Sequence, residues 1–252
     1  MTPVLEVRGL SKSFGGVRAL RDLDFDLAAG RLLAMIGPNG AGKSTCFNLI
    51  NGQLKPDSGR VCFLGQDLTG LPPRRIWRLG IGRTFQVAAT FPSMSVRENV
   101  QMAFLSHHRR LRRVLGYAGG LYEQEARMLL ERVGMAGQAE RACGVLAYGD
   151  IKRVELAMAL AHRPRLLLMD EPTAGMAPQE RVSLMALTAD IVREEGISVL
   201  FTEHDMDVVF SHADRILVLN RGQRLAEGTP EDVRRDPMVQ ASYLGPSDGQ
   251  EP

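Results

Sequence analysis

Short, almost wholly apolar runs punctuate the chain, and each ends in glycine or polar residues. They are Leu32-Leu33-Ala34-Met35-Ile36 before Gly37, Arg165-Leu166-Leu167-Leu168-Met169 before Asp170-Glu171, and Ile197-Ser198-Val199-Leu200-Phe201 before Thr202-Glu203-His204. Runs of this length, bounded by polar or turn residues, read as buried strands. A different pattern, polar and apolar in strict alternation, covers Asp22 to Leu27 and predicts a half-buried antiparallel strand. Val4 to Leu10 reads as a strand with a weak point at Gly9, followed by a turn at Ser13-Phe14-Gly15-Gly16. Arg60 to Leu64 follows the turn signal Asp57-Ser58-Gly59, and Ile81 to Gln86 makes a short strand ending in an amide. Arg215–Asn220 and Arg224–Glu227 flank Arg221-Gly222-Gln223, a hairpin signal.

Helical periodicity fills the intervals. A helix is expected from Cys46 to Gly52, and another from Pro72-Pro73 to about Leu79. Ser95-Val96-Arg97-Glu98 is a capping box that opens a helix through Met102 and Leu105 into His107 to Arg113. Leu121 to Val133 carries a Glu123/Arg127 pair and stops at Gly134. Ile151, Val154, Met158 and His162 mark a helix that Pro164 ends. Pro178 to Glu195 forms a long helix stopped by Gly196, and Thr229-Pro230-Glu231-Asp232 caps a short terminal one. Residues 246–252 read as a frayed tail, and the chain shows no internal repeat.

Composition narrows the class. A chain of 252 residues with 44% hydrophobic content suits one large domain or two small lobes. The net charge of +2 gives no reason to expect nucleic acid, and the arginines after His107 read as a solvated helix face. Adjacent His107 and His108 do not share a helix face as metal ligands would. Cys46, Cys62 and Cys143 lack metal-like spacing and read as buried thiols in a reducing compartment. The N-terminus lacks a signal-peptide core, and no apolar run is long enough to cross a bilayer, so a soluble protein is expected.

The densest chemical signal is Gly37-Pro38-Asn39-Gly40-Ala41-Gly42-Lys43-Ser44-Thr45, a G-x-x-x-x-G-K-[S/T] pattern between an apolar strand and a helix. Small residues let successive backbone N–H groups form an anion nest, and the following helix N-terminus adds positive charge. Lys43 suits the β- and γ-phosphates of a nucleotide, and the Ser44 hydroxyl suits Mg²⁺. Asp170, at a strand end, suits Mg²⁺ through water, and Glu171 suits the attacking water as general base. Taken alone, two acids closing a strand are common. His204 is either a γ-phosphate contact or a structural residue. Gln86 ends a strand where an amide can touch Mg²⁺ and the water. Phe14 is either an adenine-stacking aromatic or a core residue.

Taken in order, these motifs resemble the nucleotide-binding subunit of ATP-binding-cassette (ABC) transporters over nearly the whole chain. Phe14 matches the aromatic loop, Gly37 to Thr45 the Walker A loop and Gln86 the Q-loop. Leu146 to Asp150 matches the signature, Leu166 to Asp170 the Walker B strand, and Glu171 its catalytic acid. Ala174 to Ala177 matches the D-loop and His204 the switch histidine. The resemblance implies an α/β P-loop NTPase fold with a RecA-like core, an antiparallel β subdomain and an α-helical subdomain. It places one ABC ATPase domain over 1–245, with the helical subdomain over roughly 87–163. It also implies ATP and Mg²⁺ as ligands and a head-to-tail homodimer or heterodimer. In that dimer Ala147, Tyr148 and Gly149 would meet the partner's nucleotide. Permease subunits would bind beside Gln86, a receptor would act indirectly, and the chain would sit peripherally on the cytoplasmic face of the inner membrane.

Gly80-Ile81-Gly82-Arg83-Thr84-Phe85-Gln86, Leu146-Ala147-Tyr148-Gly149 and Tyr243-Leu244-Gly245 resemble branched-chain amino-acid uptake systems. Closely similar ATPases serve urea, short amides or lipopolysaccharide, and soluble ABC ATPases form a further class. Among the departures from the general pattern, Ala147 stands for a serine, Asp150 for a glutamine, and Ala177 for the Asp or Asn that ends the D-loop.

Overall fold

The computed structural model describes residues 3–84, 90–107 and 120–244. Its centre is a six-stranded sheet in the order β10-β9-β3-β8-β7-β6. These strands are β3 (Leu32–Ile36), β6 (Ile81–Thr84), β7 (Leu166–Asp170), β8 (Ser198–Thr202), β9 (Arg215–Asn220) and β10 (Gln223–Gly228). All neighbours are parallel except β9 and β10, the hairpin read from Arg221-Gly222. The apolar runs are buried because both faces of the sheet are covered. Leu32, Ala34 and Ile36 of β3 face one hydrophobic cluster, while Leu33 and Met35 face another. That split follows from the two-residue period of a strand.

The second cluster joins the sheet to α1 (Lys43–Ile50) and to an antiparallel sheet. That sheet has the order β2-β1-β4-β5, from β1 (Pro3–Phe14), β2 (Val17–Ala28), β4 (Ser58–Phe63) and β5 (Gln66–Asp67). In β2 the alternation holds, with Leu23, Phe25 and Leu27 buried and Asp22 and Asp24 exposed. Gly9 does not end the first strand. It sits at φ 60 where the β1–β2 register gains one residue on β1, a bulge that lets the strand continue to Phe14. The turn therefore contracts to Gly15-Gly16.

Between β6 and β7 the described chain is helical, with α2 (Pro73–Arg78) just before β6. α3 (Val96–His107), α4 (Glu123–Arg132) and α5 (Tyr148–Leu160) pack on the face of the sheet that carries Leu32 and Val199. The Ser95/Glu98 capping box forms at 2.8 and 3.2 Å, and Glu123 pairs with Arg127 at 3.0 Å. α6 (Pro178–Glu195) ends at Gly196 in the left-handed region. The chain closes with α8 (Pro230–Arg235), capped by Thr229, and the short α9 (Pro237–Val239). One helix escapes the periodicity reading. α7 (Met206–His212) is only two turns long and starts from the Asp205 side chain, which accepts Asp207 and Val208 N–H groups. Cys46 and Cys143 are buried free thiols, whereas Cys62 is only half-buried. The expected extension of α3 to Arg113, the Gln86 strand end and the tail lie outside the described residues.

Candidate functional site

The carboxyl ends of β3, β7, β8 and β9 converge, as the ligand-binding edge of an open α/β sheet does. A cleft of about 500 Å³ opens there, lined by Asn39 to Thr45, Val17 to Ala19, Arg21, Glu171 and Arg221. The loop leaving β3 is held tight by its neighbours. A Cβ on Gly37 (φ 148) would lie 2.1 Å from the Leu219 carbonyl oxygen, and one on Gly42 (φ 106) 2.6 Å from that of Ala19. No larger residue brings the loop this close to β9 and β2. α1 then starts at Lys43, with no acidic residue in its first turn to neutralise the exposed N–H groups.

Lys43 is buried and folds onto its own loop, donating to the carbonyls of Gly37 at 2.6 Å and Pro38 at 3.3 Å. Burial pulls its pKa below the usual lysine range, and the nearby Glu171 and Asp170 oppose the shift. A phosphate group in the loop would give Lys43 a direct anionic partner. Ser44 is exposed beside it.

Asp170 closes β7 opposite Thr202 on β8, and this register sets its surroundings. Its Oδ1 accepts the Thr202 hydroxyl at 2.9 Å, and its Oδ2 pairs with Arg83 at 3.2 Å. Arg83 also donates to Asn48 of α1 at 2.9 Å and to Gln53 at 3.2 Å, tying the helix after the loop to the acid. Glu171 has φ 48, a left-handed conformation that is strained for a side-chain-bearing residue. The Thr202 hydroxyl, accepting the Glu171 N–H at 3.0 Å, holds it there. The His204 Nε2 lies 2.9 Å from Glu171 Oε1, so the structure joins the two candidate residues directly. Below them Glu203, almost fully buried, accepts from the Thr173 N–H, the Thr173 hydroxyl and the His204 N–H at 2.9, 2.6 and 3.1 Å. Arg181 bonds the Met176 carbonyl at 2.8 Å and pairs with Asp205 at 2.9 Å. Sequence reading missed Arg83, Thr202, Glu203, Arg181 and Arg221. For Arg83, Thr202 and Glu203 the signal was a charged or hydroxyl residue inside or beside an apolar run; Arg181 and Arg221 carried no such signal.

Not every expected residue reaches this cleft. Phe14 ends β1, is 45% exposed, and has the Lys12 ammonium 5.6 Å from its ring centroid. It is therefore not a core residue, although Val17, Arg18 and Ala19, not Phe14, line the cleft. Ala147, Tyr148 and Gly149 start α5 away from the loop. Tyr148 is exposed and lies against Gly175, and Gly149 faces the Glu180 carboxylate. The Ala177 N–H is taken by Glu180 at 3.3 Å. Gln86 falls outside the described residues.

A phosphate loop between a central parallel strand and a helix, with paired acids on a nearby strand, defines a nucleoside-triphosphate-binding protein of the P-loop class. The family model described as "ABC transporter" matches residues 20–174, and one described as "Branched-chain amino acid ATP-binding cassette transporter" matches residues 223–245. The chain belongs to the ABC transporter family. It is 40% identical to the high-affinity branched-chain amino acid transport ATP-binding protein BraF of Pseudomonas aeruginosa, covering 96% of this chain and 98% of that one. It is 39% identical to LivG, of the same description, from Escherichia coli, with the same coverage. A nucleotide-free ATP-binding cassette from an ABC transporter superposes with a TM-score of 0.86 at 31% identity, covering 97% of this chain and 100% of that one. The ADP conformation of an ABC transporter cassette gives 0.86 at 30% identity, with the same coverage.

Proposed function

We propose that this chain is the ATP-hydrolysing subunit of an ABC importer for branched-chain amino acids. The observation that carries the reaction is the gathering of the Lys43 loop and Glu171 around one cleft, with His204 hydrogen-bonded to Glu171 from outside its lining. The match at residues 223–245 and the names of the relatives support the substrate class. Residues Gly37 to Thr45 cradle the triphosphate, with Lys43 exchanging its two carbonyl partners for phosphate oxygens. Glu171 accepts the proton of the water that attacks the γ-phosphorus, ADP leaves, and His204 holds that carboxylate in place. Phe14 stacks on the adenine.

The oxygen donors fit Mg²⁺. Ser44 is exposed at the loop, and each Asp170 oxygen has only one protein partner in the described contacts. When bound, Mg²⁺ neutralises charge on the phosphates. Ser44, Asp170 and Gln86 are its proposed holders.

The chain forms one ABC ATPase domain over 1–245, with a helical subdomain near 87–163. It works as a homodimer or a heterodimer with a homologous ATPase, where Ala147, Tyr148 and Gly149 meet the partner's nucleotide. No described helix is long and apolar enough to cross a membrane. Membrane attachment is therefore proposed to be peripheral, on the cytoplasmic face, through permease subunits. Their docking place is a groove of about 410 Å³ between β6 and the helices, with Trp77, Phe91, Met102 and Met158 in its walls. A receptor acts through the permease, and no nucleic acid is involved. Reconstitution with the neighbouring permease genes tests the reading. Uptake of branched-chain amino acids should require ATP and be lost in Lys43→Ala. ATP-driven uptake of other solutes alone would overturn the substrate, and full uptake by Lys43→Ala would overturn the site.

A further inference from the structure

The turn between β9 and β10 has an unusual residue in an unusual place. Asn220 and Gln223 pair, leaving a two-residue hairpin turn of Arg221 and Gly222 with φ of 48 and 79. Two consecutive positive φ values mark a turn that favours Asn, Asp or Gly at the first position. Arginine there is strained, but Leu64 takes the same conformation (φ 49) in the matching turn between β4 and β5, so it is the position of Arg221, not its strain, that points to a role. The turn is also fixed to the phosphate loop. Gly222 donates its N–H to the Ala41 carbonyl at 3.0 Å and accepts the Arg21 N–H at 2.8 Å. Arg221 lines the same cleft as Lys43, is exposed, and among the described residues no carboxylate pairs with it.

The strand order gives the direction. Within β9-β3-β8-β7, Arg221 follows β9 on one side of β3, and Asp170 and Glu171 end β7 on the other. At about 5 Å per strand, the acids lie about 10 Å from β3 and Arg221 about 5 Å in the opposite direction. A triphosphate with its γ end toward Glu171 therefore runs its α end toward Arg221. We propose that Arg221 is a further nucleotide-binding residue, contacting the α- and β-phosphate end of the bound nucleotide. This rests on the reading of the cleft as the ATP site. The guanidinium is suited to the task, since it presents planar paired donors and stays charged.

The test is the affinity of Arg221→Asn for ATP and for ADP, by titration calorimetry, with Lys43→Ala alongside. Asn fits the turn, so the nucleotide-free variant should melt no lower than the parent protein. Both nucleotides should bind about three- to tenfold more weakly, by the same factor, as for one solvent-accessible charge-assisted contact. The deficit should narrow as salt is raised. Arg221→Lys should fall between the two. Unchanged affinity in Arg221→Asn, with Lys43→Ala impaired, overturns the inference and leaves the site reading intact. A loss for ATP alone overturns the placement at the α end. Unchanged affinity in both variants removes the site reading itself.

Discussion

Replacing Gly37 with alanine should separate the packing of the phosphate loop from its chemistry. The new Cβ would stand 2.1 Å from the carbonyl oxygen of Leu219, a contact that needs roughly 1 Å of relief. Neither side yields easily. Gly37 follows directly on β3, and Leu219 is a fully buried residue of β9, the strand paired with β3 through Ile36 and Val218. Relief therefore loosens the end of the β3–β9 ladder, at about 1 kcal/mol for a weakened hydrogen bond. Strain of about 1–3 kcal/mol is added, because φ 148 is a glycine conformation. The total is about 2–4 kcal/mol, or a melting temperature lower by about 4–16 °C for a domain of this size. The Gly37 carbonyl that accepts Lys43 moves with the loop, so nucleotide affinity should fall about tenfold or more. Gly40→Ala is the matched control. Its φ is 80, but a Cβ there meets nothing within 4 Å. It should carry backbone strain alone and lose about 1–2 kcal/mol. Circular dichroism melts and calorimetric ATP titration of the two variants give the comparison. Equal melting temperatures for Gly37→Ala and Gly40→Ala would refute the close-approach explanation.

Further expectations concern the reacting residues and the groove. Glu171→Gln keeps a hydrogen-bonding partner for His204 but cannot take a proton, so turnover should drop about 10²–10⁴-fold. If the proposed dimer forms, the same variant should dimerise with ATP·Mg²⁺ and stay monomeric with ADP in light scattering, because uncleaved nucleotide would bridge the proposed subunits; near-parental hydrolysis would remove the general base. Phe14→Ala should weaken ATP by about 1–3 kcal/mol with little change in saturated turnover, and unchanged affinity would show that the exposed ring does not stack. Burial beside Trp77, with His107 nearby, lowers the His162 pKa to about 4. The folded state thus resists a proton that the unfolded chain takes up near pH 6.5. The contribution is complete above that pH and is lost as pH falls toward 4, by at most about 3 kcal/mol. Urea unfolding across that window should show the loss in the parent protein and a flatter profile in His162→Phe; parallel profiles would exclude His162 as the source.

Much of the machinery was legible from local pattern alone. The strands at Leu32 to Ile36, Leu166 to Asp170 and Ser198 to Thr202 announce themselves because a strand covered on both faces must be apolar throughout. The phosphate loop is legible because its glycines and Lys43 answer steric and electrostatic demands within nine residues. The caps at Ser95, Thr229 and Gly196 are local for the same reason. Gly9 is the irregular point the sequence marks, but the strand runs past Leu10 to Phe14, because the bulge at Gly9 lets β1 stay paired with β2. α7 hides because two turns are too few to set a period.

What the tertiary structure decided is which polar residues meet. Asp170 and Thr202 face each other only through the β7–β8 register, and that pairing brings Glu171 to His204 across 33 residues of chain. Arg83 reaches Asp170 from 87 residues away, and Gly222 reaches the Ala41 carbonyl from the far hairpin. Such contacts depend on strand order and register, which are set by the burial of whole faces rather than by neighbours in sequence. A short run of residues can specify its own backbone conformation, but not what stands opposite it.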